Sequence, residues 1–129
     1  MKSLRAIAFI ALALSAASCM RGDLTVLAIQ NATLFDGTPK PPVSPAHIIV
    51  RRGRIVAFGP AGKVEIPSGA DVVDGAGRYV LPTDLREPLR VGADANLLLL
   101  SVNPAADPKY LKHVTGKMEI GRWTQRPTR

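Results

Sequence analysis

Two histidines, His47 and His113, are the residues of this chain best suited to bind a catalytic metal ion. A catalytic zinc usually needs about three protein ligands that converge on one point. The two histidines lie in separate predicted elements, and Cys19 is the single cysteine, which also excludes a site built on thiolates. The sequence therefore predicts no metal site and no cofactor.

Nucleophilic and phosphate-binding chemistry also lacks its usual sequence patterns. Ser44, Ser68 and Ser101 stand outside any Gly-x-Ser-x-Gly segment, the sharp turn that exposes a catalytic serine in many hydrolases. No Gly-x-x-x-x-Gly-Lys-Ser/Thr loop is present to hold phosphates. Several carboxylates fall in predicted turns or connections, where they usually cap a turn or carry solvated charge. These are Asp71, Asp74, Asp84, Glu87 and Asp94. We therefore predict no catalytic residue.

The charge of the chain is strongly positive. Its 129 residues include 17 lysines and arginines but only 10 aspartates and glutamates, which gives a formal net charge of +7. A protein that binds single-stranded nucleic acid combines basic residues with aromatic residues on which the bases stack. Aromatic residues make up only 5% of this chain, and no basic block alternates with them, so we predict no nucleic-acid partner. A basic lipoprotein that binds anionic polymers of the cell envelope through charge is one alternative function.

The first 18 residues have the three parts of a secretory signal. Lys2 and Arg5 form a basic start, residues 6–14 an apolar run, and residues 16–18 a small-residue stretch. The apolar run is too short to span a bilayer as a stable helix. We therefore expect a signal peptide over residues 1–18 and export of the mature chain, whose net charge would then be +5 because Lys2 and Arg5 are removed.

Cys19 follows the small residues directly. Ala16-Ala17-Ser18-Cys19 resembles the lipobox of bacterial lipoproteins, in which the cysteine is lipidated and becomes the mature N-terminus. We expect lipidation of Cys19, a short tether over residues 19–23, and a lipoprotein of the periplasm or cell envelope held to the membrane by its lipid. Ordinary cleavage that leaves a free cysteine is the alternative.

The elements that would have to position any site are short strands. Hydrophobic residues make up 47% of the chain, and 11 glycines and 11 prolines imply many turns, which favours an all-β domain over a helical bundle. Turn signals every 8–12 residues or so are typical of a β-sandwich or barrel. We predict one small β-sandwich over residues 24–126, with strands within 24–34, 47–50, 54–58, 72–73, 79–81, 96–100 and 114–123.

Several local features sharpen this prediction. The prolines at 39, 41, 42 and 45 predict a stiff loop that does not join a central strand. Gly53 suits a tight hairpin turn, after which Ile55 and Ala57 should face one side of the strand and Val56 and Phe58 the other. The apolar run at 96–100 predicts a strand covered on both faces. Either Gly116 or Gly121 should lie at the bend of the last hairpin.

Six motifs occur in an order that resembles the amidohydrolase family, where they build a small composite β domain beside a catalytic metal barrel. They are the Asn-Ala-Thr-Leu-Phe-Asp-Gly segment at 31–37, Arg-Gly-Arg-Ile-Val-Ala-Phe-Gly-Pro at 52–60, Val-Asp-Gly-Ala-Gly-Arg-Tyr-Val-Leu-Pro at 73–82, Gly-Ala-Asp-Ala-Asn-Leu at 92–97, Asn103-Pro104 with Asp107, and Gly121-Arg122-Trp123. The resemblance implies the fold of that β domain.

The resemblance also implies what the chain lacks. In the family, Leu-Pro is followed by Gly-Leu-Ile-Asp-x-His-x-His, whose histidines bind the metal, whereas Leu81-Pro82 is followed here by Thr83-Asp84-Leu85-Arg86. Only the short junction at residues 83–91 stands where the barrel would be inserted. We therefore expect an exported, lipid-anchored β domain that lacks its own metal site and does not catalyse alone.

Three alternatives remain open at this point. The chain could act on C–N bonds as a hydrolase with a barrel supplied by another chain, or it could be the basic envelope-binding lipoprotein described above. It could also be the product of an internally deleted gene. An apolar face left by the absent barrel would favour self-association or a barrel-bearing partner.

Overall fold

The computed structural model describes residues 25–128, which form eight strands and one short 3-10 helix. The strands are β1 (Val26–Leu34), β2 (Val43–Arg51), β3 (Arg54–Pro60), β4 (Asp71–Asp74), β5 (Tyr79–Pro82), β6 (Leu97–Leu100), β7 (Val114–Glu119) and β8 (Arg122–Gln125), with the 3-10 helix at Tyr110–His113. The predicted all-β class is confirmed. The predicted signal peptide at residues 1–18 and tether at residues 19–23 lie outside the described residues.

The eight strands belong to one mixed sheet whose order is β3-β2-β1-β5-β6-β7-β8, with β4 beside β1. β1 pairs antiparallel with β2 on one side, and on its other side β4 and then β5 run parallel to it. Asp74 ends β4, and its Oδ1 accepts a hydrogen bond from the backbone N–H of Ala76 at 3.0 Å, as the turn prediction requires. Gly75 lies so close to β1 that a Cβ there would be 2.7 Å from the Cβ of Ala32.

The apolar side chains form two core clusters on opposite faces of β6. Leu97 and Leu99 belong to the larger cluster, which gathers side chains from β1 to β7, while Leu98 and Leu100 belong to a smaller cluster beside the 3-10 helix. All four leucines are buried. The prediction that this strand is covered on both faces is confirmed, because successive side chains of a strand point to opposite faces.

Two hairpin turns with the same backbone conformation meet at one end of the sheet. Arg52 and Gly53 join β2 to β3 with φ angles of 52° and 78°, and Ile120 and Gly121 join β7 to β8 with φ angles of 46° and 75°. Two central residues with positive φ define the tight turn that matches the twist of paired strands. The prediction for Gly53 is confirmed, and Gly121 is the glycine at the last bend.

The β2–β3 and β7–β8 hairpins lie at opposite edges of the sheet. Because their turns nevertheless touch, the sheet curls on itself. A Cβ on Gly53 would lie 2.9 Å from the carbonyl oxygen of Ile120. Ala95 links the two turns, since its N–H donates to the Gly53 carbonyl at 2.9 Å and its carbonyl accepts from the Gly121 N–H at 3.1 Å. The curl gives the single sheet a sandwich-like arrangement around the larger core cluster.

Two details of the predicted strands are wrong. Pro45 lies within β2, a central strand, where the register with β1 shifts between Ala32 and Leu34, and an irregular position of this kind tolerates a residue without an N–H. In β3 the register shifts around Val56, which is 43% exposed. This irregularity places Ile55 and Phe58 against the same core cluster instead of on opposite faces.

Candidate functional site

The junction segment, residues 83–91, leaves the sheet at the end of β5, and the chain returns through residues 92–96 to β6. Pro82 and Leu97 are direct partners in the antiparallel pairing of the two strands. The N–H of Thr83 donates to the carbonyl of Asn96 at 3.0 Å, one step beyond the last strand pair. The two ends of this connection are therefore neighbours, and the sheet is continuous across it.

Leu89 fixes the junction segment to the rest of the domain. Its side chain is 9% exposed and belongs to the larger core cluster, and its N–H donates to the carbonyl of Asp36 at 2.8 Å. Burial alone would raise the pKa of the Asp36 carboxyl group, but hydrogen bonds from the hydroxyl and N–H of Thr38 outweigh it, and the pKa is lowered. Asp36 therefore caps its own turn as a carboxylate, and this turn supports the junction segment.

An open cleft of about 660 Å³ lies between the junction segment and the start of β3. Its lining residues are Arg54, Ile55, Pro82, Asp84, Arg86, Glu87, Pro88, Leu89, Arg90, Gly92, Ala93, Asp94 and Asn96. The hydrogen bond that the Arg86 side chain donates to Asp84 holds the pKa of that carboxyl group below its usual range. Arginines and carboxylates can bind polar or charged groups, but the lining residues supply no serine, cysteine or histidine that could act as a nucleophile with a base.

The two histidines lie in different parts of the fold. His47 is in β2, where its Nδ1 accepts a hydrogen bond at 3.2 Å from the N–H of Asn31. Asn31 has a φ of 59° and lies where the register between β1 and β2 shifts. The regular strand pairing does not include Asn31, and His47 accepts the hydrogen bond from its N–H instead. His113 ends the 3-10 helix, with its Nε2 3.8 Å from Oδ2 of Asp107. Within residues 25–128, no three His, Cys, Asp or Glu side chains group in a way that could hold a metal ion.

The carboxylates singled out in the sequence also lie apart. Asp74 caps its turn, whereas Asp84, Glu87 and Asp94 line the cleft. Asp71 of β4 forms two hydrogen bonds with the guanidinium group of Arg126, at 2.7 and 2.9 Å, and these lower the pKa of its carboxyl group. The pair joins β4 to the chain beyond β8, a contact that no local sequence pattern indicates.

The three serines considered and rejected as nucleophiles lie apart in the structure; Ser68 is exposed in the connection before β4. The hydroxyl of Ser44 forms a hydrogen bond of 2.9 Å with the hydroxyl of Thr33, which joins β2 to β1. Ser101 donates its backbone N–H to the carbonyl of His113 at 3.1 Å, which is a structural contact. Cys19, the predicted lipidation site, lies outside the described residues. Within residues 25–128, no helix has the length and apolar character needed to cross a membrane.

Comparison with known proteins gives partial structural similarity only. No family model matches the chain, and no curated protein matches it. Among solved structures, molinate hydrolase aligns at 28% identity over 46% of this chain and 13% of its own, with a TM-score of 0.42. Phenylurea hydrolase B aligns at 39% identity over 45% of this chain and 13% of its own, with a TM-score of 0.41. Both neighbours are named as hydrolases, and this chain spans only a small part of their length.

Proposed function

We propose that this protein is an exported, lipid-anchored β domain similar to the composite β domain of amidohydrolases, and that it does not catalyse hydrolysis alone. Its role is then to bind or to support a structure at the cell envelope. The six sequence motifs in family order support the relationship, and the residues 16–19 support the anchor at Cys19.

The observation that carries this proposal is the junction between β5 and β6. Pro82 and Leu97 pair directly, and the segment between them reads Thr83-Asp84-Leu85-Arg86 where the resembled family has its two metal-binding histidines. Hydrolysis in such enzymes depends on a metal that lowers the pKa of bound water to about 7. The cleft beside the junction offers arginines and carboxylates, which suit the binding of polar groups better than the activation of water.

A zinc and turnover assay tests the lack of catalysis. Purified protein is supplied with zinc and with a panel of amide substrates, beside a matched His47→Ala/His113→Ala variant. We expect the same background rate for both proteins and no stoichiometric zinc. Stoichiometric zinc together with turnover that the double variant loses would contradict the proposal.

Fatty-acid labelling in a bacterial host tests the anchor. The natural chain should take up labelled fatty acid and fractionate with membranes, whereas Cys19→Ser should do neither, because it lacks the only thiol. Ser18→Ala, beside the cysteine, is the matched control and should still be labelled. Equal labelling of the natural chain and Cys19→Ser would rule out lipidation at this residue.

A second candidate function is hydrolysis of C–N bonds with a barrel supplied by another chain. Leu85, in the junction segment, is 49% exposed and offers an apolar contact on the side where the resembled family carries its barrel. If a neighbouring reading frame encodes a His-x-His barrel, the two chains expressed together should co-purify, and only the pair should turn over an amide. Leu85→Ser should weaken this association, and the absence of any co-purification would count against the candidate.

A further inference from the structure

Three separate segments come together where the touching turns meet. Residues 51–54 and residues 120–122 contain the two turns, and residues 90–95 lie beside both. Gly92 donates its N–H to the carbonyl of Ile55 at 2.8 Å, and Ala95 bridges the two turns as described above. We call these three segments the arginine end of the domain.

The arginine end carries exposed positive charge. Its five arginines are all exposed, and none of them lies within ion-pair distance of a carboxylate of residues 25–128. They are Arg51, Arg52, Arg54, Arg90 and Arg122. Two carboxylates lie nearby. Asp94 belongs to the arginine end and forms a backbone β-bridge with Arg54, but its side chain is not within ion-pair distance of any of the five arginines. Glu119 forms an ion pair of 3.1 Å with Lys117. A concentration of unpaired arginines of this kind attracts an anionic surface.

Two aliphatic side chains project from the same segments. Val91 is 64% exposed and Ile120 is 61% exposed, which places both among the most exposed large apolar residues of the described chain. Arginine side chains next to exposed aliphatic side chains suit the boundary between water and a bilayer, where the charge meets the headgroups and the apolar group enters the layer below. A soluble polyanion would satisfy the arginines but would give the aliphatic side chains no partner.

The first strand of the sheet begins at this end of the domain. Val26 begins β1 and pairs with Arg51, which is the last residue of β2 before the touching turns. Cys19 precedes Val26 by seven residues, which span at most about 23 Å when fully extended. A lipid on Cys19 would therefore hold the arginine end, and not the opposite end of the sheet, close to the membrane.

We propose that the arginine end docks on the anionic surface of a lipid bilayer, with its arginines at the headgroups and Val91 and Ile120 inserted between them. The orientation in which a lipid on Cys19 turns the arginine end toward the membrane rests on the proposed function. The charged and apolar surface itself is a property of the described domain. The two can therefore be tested apart.

The test is binding to lipid vesicles by the full chain carrying Cys19→Ser, so that no lipid is attached. Every variant is made in this background, and the leader contributes equally to all of them. We expect binding to phosphatidylglycerol-rich vesicles that falls with salt, and weak binding to phosphatidylcholine vesicles. Removing one charge from each segment with Arg52→Gln/Arg90→Gln/Arg122→Gln should weaken the partition by about 100-fold, at about fivefold for each charge.

The matched control removes three charges from outside the arginine end. Lys63, Lys109 and Lys112 are exposed. Lys63 follows β3 at its far end, Lys109 precedes the 3-10 helix, and Lys112 lies in that helix, before β7. Lys63→Gln/Lys109→Gln/Lys112→Gln should weaken binding by less than about threefold, since charges beyond a Debye length of the surface are largely screened. Equal losses in the two triple variants would overturn the proposal, because net charge alone would then explain binding.

Ile120→Asn tests the apolar contribution without disturbing the turn, because asparagine tolerates the positive φ at this position. We expect about a tenfold loss of binding to vesicles. No loss would overturn docking on a bilayer and would favour simple attraction to a polyanion. The natural chain could also remain without lipid in the labelling experiment while the domain still binds vesicles. That result would reject the lipid anchor and leave the docking proposal in place.

Discussion

The touching turns and the junction segment lie close together in the domain, yet they tolerate change very differently. At the turns, Gly53 and Gly121 bring backbone against backbone with no room for a single methyl group. The junction segment borders an open cleft, and a Cβ on Gly92, just beyond it, would meet nothing within 4 Å. The first region is fixed by close packing, and the second is held chiefly by Leu89.

This contrast indicates that the touching turns keep the sheet closed, whereas the sequence of the junction segment is free to vary. A substitution in the turns acts on the curl of the whole sheet, since each turn touches strands far away in the sequence. A substitution in the junction segment acts on a connection between two strands that already pair with each other. Unfolding by urea, followed by the fluorescence of the single tryptophan, Trp123, reports both, because this side chain packs against the larger core cluster.

Gly121→Ala should produce the largest effect. Gly121 has a φ of 75°, and a Cβ there would overlap the Cα of Gly53. We expect a loss of at least about 3 kcal/mol in the free energy of unfolding, from the strained backbone and the overlap together. Gly92→Ala is the matched control: its φ of 90° carries similar strain in open space, so it should lose only about 1–2 kcal/mol. Similar losses in the two variants would show that the turns are not closely packed.

Leu89→Ala should have an intermediate effect and identify the one tight contact of the junction segment. Removing this buried side chain leaves a cavity in the core cluster and should lower the free energy of unfolding by about 2–3 kcal/mol. Leu85→Ala, in the same segment but exposed, should change it by less than about 0.5 kcal/mol. If Leu89→Ala is as mild as Leu85→Ala, the segment is not attached to the core in solution.

Arg86→Gln should have the smallest effect. Arg86 lowers the pKa of Asp84, so the contribution of this pair to stability is present above the unfolded pKa of about 4 and is lost as the pH falls through the lower folded pKa. Arg86 is exposed and Asp84 is half-exposed, so water screens the pair, and we expect no measurable change in stability at neutral pH. Carboxyl NMR should instead show the titration of Asp84 moving to higher pH in the variant. An unchanged titration would mean that the pair does not form.

Much of the fold could be predicted from residues that act locally. Gly53 and Asp74 mark their turns because positive φ and self-capping are properties of the residues themselves, and the four consecutive leucines of β6 indicate a strand covered on both faces. The sequence also indicated that the two histidines lie in separate elements, as the structure places them in β2 and in the 3-10 helix.

The features that sequence reasoning missed depend on how strands pair. Pro45 enters a central strand because β1 and β2 are out of register beside it, and Phe58 changes face because of the irregularity at Val56. The hydrogen bond from Asn31 to His47 and the contact of Gly53 with Gly121 join residues that are distant in sequence. No local signal marks these partners, because each pairing is a property of the assembled sheet.

The contact between the two turns also sets an order in time. It joins residue 53 to residue 121, so the curl of the sheet cannot close until the β7–β8 hairpin is available to the early strands. Until then the β2–β3 hairpin has no counterpart for its turn, and the apolar side of the early strands stays accessible to chaperones or to other unfinished chains. The β7–β8 hairpin is therefore the one that completes the domain.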